Sequence, residues 1–168
     1  MKRHREAQGA KQIYNPSEIY QYMKILLIHG PNLNRLGQRD KQHYGGLTLK
    51  QLEDLVKQEA NKNNCQIECY QSNHEGALID FIQEHTDGAD GIIINPGALT
   101  HYSYALHDAL LDSGLPCVEV HLSDIKNRED WRRISVTAPA CIKQISGQKE
   151  KGYIQAFKMI YDHTRNKA

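Results

Sequence analysis

The sequence has no long apolar run and almost no net charge, and both absences narrow the classes of protein it can belong to. No segment approaches the ~20 consecutive apolar residues that a membrane-spanning helix needs, and no apolar stretch of secretory-signal type follows the first residues. The 21 lysine and arginine residues nearly balance the 20 acidic residues, which leaves a formal net charge of +1. This balance gives no general electrostatic reason to expect a nucleic acid or an anionic membrane as partner. We therefore expect a soluble, cytoplasmic protein.

Signatures of metal and disulfide sites are also weak. The four cysteines stand at positions 65, 69, 117 and 141, and the C-x3-C spacing of the first two differs from the C-x2-C spacing of structural zinc sites. His101 and His107 are six residues apart and His121 lies further along, so no histidine pair shows a ligand spacing. We expect reduced thiols, no metal ion and no organic cofactor.

The chain has the length of one domain. Residues 1–22 are polar and lack a sustained apolar period, so we predict an N-terminal extension there, flexible or forming a short helix. The domain itself is expected over residues 23–168.

From Met23 onward, short apolar runs alternate with amphipathic segments, which is the pattern of strands and crossover helices. Strands are predicted at residues 24–29, 66–72, 91–95, 116–121 and 141–146. Helices are predicted from the capping box at 48–51 through Ala60, over 75–85, over about 102–113 and after Gly152. The fold class is therefore α/β, a doubly wound three-layer sandwich around a five-stranded parallel sheet.

In such a sheet the ligand site lies beyond the carboxyl ends of the strands, near the topological switch point. Unusual polar residues crowd the segments after the first, third and fourth predicted strands. The segment after the first strand, residues 29–46, is far longer than the usual connection of about two to six residues. The residues that we expect to converge are Asn32, Arg39, Tyr44, Asn95, His101, His121 and Ser123.

The long first loop carries neither the G-x-G-x-x-G fingerprint nor a P-loop, which disfavours a nucleotide site. His29, at the end of an apolar strand, is interpreted as a hydrogen-bonded framework residue. Gly45 and Gly46 permit lid motion and steep turns, which suits a loop that delivers Tyr44 into a pocket.

Five sequence blocks occur in one order across residues 23–163. They are Gly30–Gly37 followed by Tyr44–Gly46, then Gln71–Gly76, Asn95–His101, Glu119–Ser123, and Arg128-Glu129 with Arg132-Arg133. Together these blocks resemble the type II 3-dehydroquinate dehydratases.

The resemblance implies a flavodoxin-like fold that assembles as trimers, usually four of them in a dodecamer. It implies a hydro-lyase that dehydrates 3-dehydroquinate to 3-dehydroshikimate through an enolate, a reaction of the shikimate pathway to aromatic amino acids or of quinate breakdown. The resemblance implies that Tyr44 is the base, Arg39 its electrostatic partner and His121 the acid, and that Asn32 holds a water for the enolate. It implies that the substrate carboxylate is bound by Asn95 and the amides of Leu122 and Ser123, and the ring hydroxyls by Arg132 and His101. It further implies that Asp108 reaches the site of a neighbouring subunit.

A tyrosine base acts as the phenolate, and full ionisation at neutral pH needs a shift of about 3 units from a reference pKa of about 10. One nearby guanidinium supplies roughly 1 to 3 units. Arg39 stands five residues before Tyr44, and Arg35 offers a second cation. Taken alone, the pair also fits a tyrosine that only packs and an arginine that is only solvated. Glu119 and His121 should share one face of their strand, so that Glu119 fixes the imidazole tautomer.

Three positions depart from the pattern of the family: His107, Asp124 and Ile134. Asp124 adds negative charge near the expected carboxylate pocket. Two alternatives stay open, a flavodoxin-like module that binds flavin mononucleotide or another small ligand without turnover, and a scaffold that has lost activity. A Schiff-base mechanism is disfavoured because Lys24 begins its strand at the wrong end and the other lysines lie mostly in helices, loops or tails.

Overall fold

The computed structural model describes residues 22–166 and contains one parallel sheet of five strands. The strands are β1 (Met23–His29), β2 (Cys65–Gln71), β3 (Gly91–Asn95), β4 (Cys117–His121) and β5 (Lys143–Ser146). Their order in the sheet is β2-β1-β3-β4-β5, which is the flavodoxin-like order. The predicted α/β fold class and five-stranded sheet are confirmed. The predicted extension, residues 1–22, lies outside the described residues except for Tyr22.

Helices cover both faces of the sheet and make three layers. The covering helices are α2 (Leu49–Asn61), α3 (Glu75–His85), α4 (Tyr104–Asp112) and α5 (Lys149–Arg165), and α1 (Lys41–Tyr44) is a single turn that buries no residue. One core contains Val56 of α2 and Phe157 of α5, whereas the other contains Leu78 of α3 and Leu106 of α4. Strands β3 and β4 are buried along their whole length, as expected for central strands covered on both faces.

Local capping explains where the helices begin. Thr48 and Gln51 form the predicted capping box of α2, and each side chain bonds the backbone N–H of the other residue. The helix predicted from residue 102 begins instead at Tyr104, because the Ser103 hydroxyl accepts a bond from the Leu106 N–H. Strand β5 begins two residues later than predicted, after a short turn that contains Pro139. Helix α5 begins at Lys149, earlier than predicted.

The loops that follow β1 and β3 are pressed together at the topological switch point. The Gly30 N–H donates to the Asn95 carbonyl at 2.8 Å. A Cβ atom at Gly30 would lie 2.2 Å from the Pro96 carbonyl oxygen, so only glycine fits there. This close approach fixes one wall of the cleft at the carboxyl edge of the sheet. Among the described residues, no helix has the length and apolarity to cross a bilayer.

Candidate active site

A cleft of about 100 Å³ lies above the carboxyl ends of β1, β3 and β4. All the residues that the sequence placed in the site line this cleft except Asp108, which lies on the exposed side of α4. The lining residues are Pro31, Asn32, Leu33, Arg39, Tyr44, Asn95, Gly97, Ala98, His101, His121, Leu122, Ser123, Ile125, Arg128 and Arg132.

Tyr44 is the last residue of the one-turn helix α1, which forms a lid beside the cleft. Asp40 caps this helix by accepting the Gln42 N–H at 2.8 Å and by pairing with His43 Nδ1 at 2.5 Å. The hydrogen bond with His43 and the Gln42 N–H lower the pKa of Asp40. The Arg39 guanidinium carbon lies 3.7 Å from the centroid of the Tyr44 ring. The predicted proximity of this tyrosine and this arginine is therefore present.

Arg128 is a cleft residue for which no role was predicted from the sequence. It follows a short 3-10 turn after β4 and faces the Tyr44 hydroxyl, which is the largest cause of a raised pKa of Arg128. The Arg128-Glu129 block was part of the family resemblance, and this was the only signal for Arg128 in the sequence.

His121 and Glu119 form a buried pair at the end of β4. His121 Nε2 lies 2.6 Å from Glu119 Oε1. Burial alone would raise the pKa of Glu119, but hydrogen bonds from His121, Thr137 and Gln144 and the charge of His121 hold it at about 2. Glu119 therefore stays ionised and accepts the Nε2 proton, which leaves Nδ1 of His121 for a group in the cleft.

Asn95, at the end of β3, is buried, and both the nitrogen and the oxygen of its side-chain amide are hydrogen-bonded. Its Nδ2 donates to the Tyr153 hydroxyl at 2.8 Å, and its Oδ1 accepts the Gly97 N–H at 3.1 Å. Burial raises the pKa of Tyr153 well above its ordinary value, so this phenol stays neutral. One N–H of the Asn95 amide remains for a ligand.

His101 and Arg132 line the opposite wall together. His101 Nδ1 contacts the Ile134 carbonyl at 2.7 Å, and the ring meets Trp131 edge-on at 5.3 Å. Burial lowers the pKa of His101. The Arg132 guanidinium stacks over Trp131 at 3.9 Å, and its buried Nε lies 3.2 Å from Glu129 without hydrogen-bond geometry. This wall therefore presents polar nitrogen atoms to the cleft.

The residues that depart from the family pattern are placed away from the centre of the cleft. Asp124 caps a 3-10 turn by accepting from Lys126 N–H at 3.1 Å and from Asn127 Nδ2 at 2.6 Å. Both of its oxygens are thus bonded, and Asp124 does not line the cleft. His107 Nδ1 contacts the Val136 carbonyl at 2.8 Å, and Ile134 is exposed.

His29 does not line the cleft and is fully buried. Neither ring nitrogen has a hydrogen-bond partner among the described residues, so the hydrogen bonds expected of a framework histidine are missing. Burial lowers the pKa of His29 to about 3. Glu53 lies 3.6 Å away, but the two do not form an ion pair because burial keeps the imidazole neutral.

Within residues 22–166, no cluster of three or more His, Cys, Asp or Glu side chains is arranged to hold a metal ion. All four cysteines are free thiols.

Comparison with known proteins shows to which family the chain belongs. The family model described as "Dehydroquinase class II" matches residues 23–161. The 3-dehydroquinate dehydratase of Clostridium perfringens (strain 13) is 51% identical over 146 residues, which cover 86% of this chain and 100% of the relative. That of Dictyoglomus turgidum is 51% identical over 139 residues, covering 83% and 96%.

Solved structures support the same family assignment. The type II dehydroquinase from Butyrivibrio crossotus superposes with a TM-score of 0.81 at 52% identity, covering 83% of this chain and 98% of that one. The type II dehydroquinase from Propionibacterium acnes gives a TM-score of 0.80 at 34% identity, with 84% and 99% covered. This chain belongs to the class II dehydroquinase family.

Proposed function

We propose that this protein dehydrates 3-dehydroquinate to 3-dehydroshikimate, with Tyr44 as the base and His121 as the acid. The single observation that carries the proposal is the pairing of Arg39 with Tyr44 and of Glu119 with His121 on two walls of one cleft. Loss of water from a β-hydroxy ketone needs a base, a stabilised enolate and an acid, and the cleft offers a group for each.

The first step is removal of a proton from the carbon next to the ketone. Tyr44 takes this proton as the phenolate. Two cations favour the phenolate, Arg39 against the ring face and Arg128 at the hydroxyl. An opposite charge within about 4–6 Å favours the ionised form of an acid.

The second step places negative charge on the ketone oxygen as an enolate. Asn32 stands beside the cleft in the left-handed conformation, with a φ of 67°, and its backbone N–H donates to Asn73 Oδ1 at 2.9 Å. This bond holds the Asn32 backbone in place at the cleft. In our proposal the side-chain amide of Asn32 holds a water against the enolate oxygen. A donor aimed at developing charge accelerates such a step.

The third step is departure of the hydroxyl group as water. The Nε2 proton of His121 is hydrogen-bonded to Glu119, so the proton that is transferred comes from Nδ1. The acid in our proposal is therefore the imidazolium, in which both ring nitrogens carry a proton. Transfer leaves a neutral imidazole and a protonated Tyr44, and exchange with solvent restores both groups. Glu119, held ionised by its hydrogen bonds, stabilises the imidazolium before transfer.

Substrate binding in this proposal uses the loop after β4. The carboxylate is received by the free N–H of Asn95 and by the amides of Leu122 and Ser123. The His121 carbonyl accepts from Gly147 N–H and the Leu122 carbonyl from Lys149 N–H, each at 3.2 Å, which fixes the two peptide planes that carry the Leu122 and Ser123 amides. Arg132 and His101 bind the ring hydroxyls.

We further propose a homo-oligomer, built from trimers and reaching a dodecamer, in which Asp108 enters the site of a neighbouring subunit. Asp108 is exposed on α4 beside Tyr104 and Leu111, which are 68% and 60% exposed. Large exposed apolar side chains around a charged residue suit a subunit interface. Light scattering on the purified protein tests the assembly, and a monomer would remove the role of Asp108. We also propose a cytoplasmic location, where thiols stay reduced.

The test of the activity is an ultraviolet assay for the conjugated enone that dehydration creates. We expect absorbance to rise when purified protein meets 3-dehydroquinate, and we expect no visible flavin colour in the protein. A colourless protein without turnover would contradict the proposed function, whereas a yellow one would indicate a flavin-binding module.

A further inference from the structure

Glu119 lies at the centre of a buried group of polar side chains drawn from four segments of the chain. Besides His121, its donors are Thr100 at 2.9 Å, Ser135 at 2.9 Å, Gln144 at 2.8 Å and Thr137 at 2.5 Å. Glu119 itself is fully buried. A buried carboxylate is costly unless hydrogen bonds satisfy its charge, so this set is what keeps the anion in place.

Gln144 differs from the three hydroxyl donors. The hydroxyls of Thr100, Ser135 and Thr137 contact one another at 2.8–3.3 Å, and a hydroxyl hydrogen can rotate from the carboxylate to a neighbouring hydroxyl. The Gln144 amide has no such freedom. Gln144 pairs with Glu119 across β4 and β5, which aims its Nε2 at Oε1, the same oxygen that contacts His121.

We propose that Gln144 is a positioning residue that, by sharing the charge of Glu119 Oε1, weakens the hold of Glu119 on the His121 proton and makes His121 a stronger acid. The inference rests on the proposed function, because it assigns His121 the role of acid. A carboxylate that lacks this donor concentrates its charge on the imidazolium and stabilises the protonated ring. Transfer of the Nδ1 proton to the leaving hydroxyl is then harder.

Other charged or titratable groups also face His121. Glu119 lies next to it on β4, His101 comes from the segment after β3, Tyr44 and Arg39 come from the lid, and Arg128 and Arg132 come from the segment after β4. Apart from Glu119, none of these groups bonds to Gln144 among the described contacts. A substitution at Gln144 therefore changes Glu119 and leaves the remaining charges around His121 as they are.

The test uses Gln144→Met, which keeps the size of the side chain and removes the donor, in the full-length protein. Lys143→Met is the matched control, since Lys143 is the exposed neighbour on β5. The His121 ring signals are titrated by NMR and assigned with His121→Gln. We expect the His121 titration midpoint of Gln144→Met to move to higher pH by about half a unit or more. In the same variant we expect kcat to fall about 2- to 3-fold for a shift of half a unit, with KM unchanged.

Lys143→Met should match the wild type in both measurements. An unchanged or lower midpoint in Gln144→Met overturns the inference. Gln144→Glu, which adds negative charge beside Glu119, should move the His121 midpoint further in the same direction. This variant replaces Gln144→Met in the test if the Met variant does not fold. The titration does not depend on turnover, so it tests the effect of Gln144 on His121 separately from the proposed role of His121 as acid. Normal turnover in His121→Gln would discard the acid, while a shifted midpoint would still establish the link between Gln144 and His121.

Discussion

Arg39 contacts Tyr44 through the face of the phenol ring, with the guanidinium carbon 3.7 Å from the ring centroid. The cation thus lies against the π-system, whereas Arg128 faces the hydroxyl. The two arginines therefore act on different parts of the same side chain. The charge of the phenolate is concentrated on its oxygen, so Arg128 should favour ionisation more strongly than Arg39 does.

Replacement of Tyr44 by phenylalanine removes the proposed base and keeps the ring that stacks on Arg39. We expect kcat to fall about 10³-fold or more, since positioned acids and bases contribute roughly 10²- to 10⁴-fold. The enone assay measures the loss, and circular dichroism checks the fold. Tyr102→Phe, an exposed residue outside the cleft, is the control. Near-normal turnover in Tyr44→Phe would discard Tyr44 as the base.

The two arginines can be ranked by their effect on the pH profile. Removing a cation beside the phenolate should move the rising limb of kcat/KM to higher pH, by roughly 1 to 3 units for Arg128→Met. We expect a smaller displacement for Arg39→Met. Lys126→Met is the matched control, because Lys126 is an exposed cation outside the cleft. Equal profiles in Arg128→Met and the control would contradict the role of Arg128.

Tyr153→Phe tests whether Asn95 must be held in place to receive the substrate. The variant leaves Asn95 Nδ2 without the acceptor that lies 2.8 Å away. We expect KM to rise about 5- to 10-fold with kcat within about twofold, because one lost hydrogen bond costs roughly 1 kcal/mol. Tyr161→Phe on the same helix should behave as the wild type. An unchanged KM in Tyr153→Phe would show that Asn95 needs no support from α5.

His29 should give the protein a stability that depends on pH. Burial lowers the pKa of His29 from 6.5 to about 3, so the unfolded chain binds more protons than the folded chain between these values. The contribution of neutral His29 is complete above pH 6.5 and is lost as pH falls towards 3. Between pH 6.5 and 4.5 the loss should be about 2 kcal/mol.

Urea unfolding at several pH values measures this loss. His29→Phe should reduce the slope of unfolding free energy against pH over that range. At neutral pH the variant sacrifices no hydrogen bond, because neither ring nitrogen has a partner among the described residues. His74→Phe, at an exposed histidine, should keep the wild-type slope. The same slope in His29→Phe and wild type would contradict the assignment to His29.

The apolar runs predicted the sheet because burial on both faces leaves little choice of side chain in a central strand. Ile92, Ile93 and Ile94 are fully buried, and β3 has the bounds that the sequence indicated. The parallel arrangement then placed the polar strand ends at one edge. Asn95 and His121 could therefore be assigned to one cleft before any distance was known.

The supporting residues were harder to find because they act through contacts between distant parts of the chain. Tyr153 is 58 residues from Asn95, and Gln144 is 25 residues from Glu119. Contacts between residues so far apart in the chain leave no periodic pattern in a sequence. Helix α1 was also missed, since Lys41–Tyr44 is one turn long and shows no amphipathic period. Short local structure that depends on one cap, here Asp40, leaves only a weak pattern.

Two glycines bracket the segment that carries Arg39 and Tyr44. Gly37 and Gly45 have φ values of 86° and 78°, and the turn between them is closed by its own cap. Backbone rotation at these two glycines would move the Tyr44 phenol and the Arg39 guanidinium outward together, while Arg128 would stay with the body of the protein. In the proposed mechanism Arg128 can therefore assist Tyr44 only while this segment lies over the cleft.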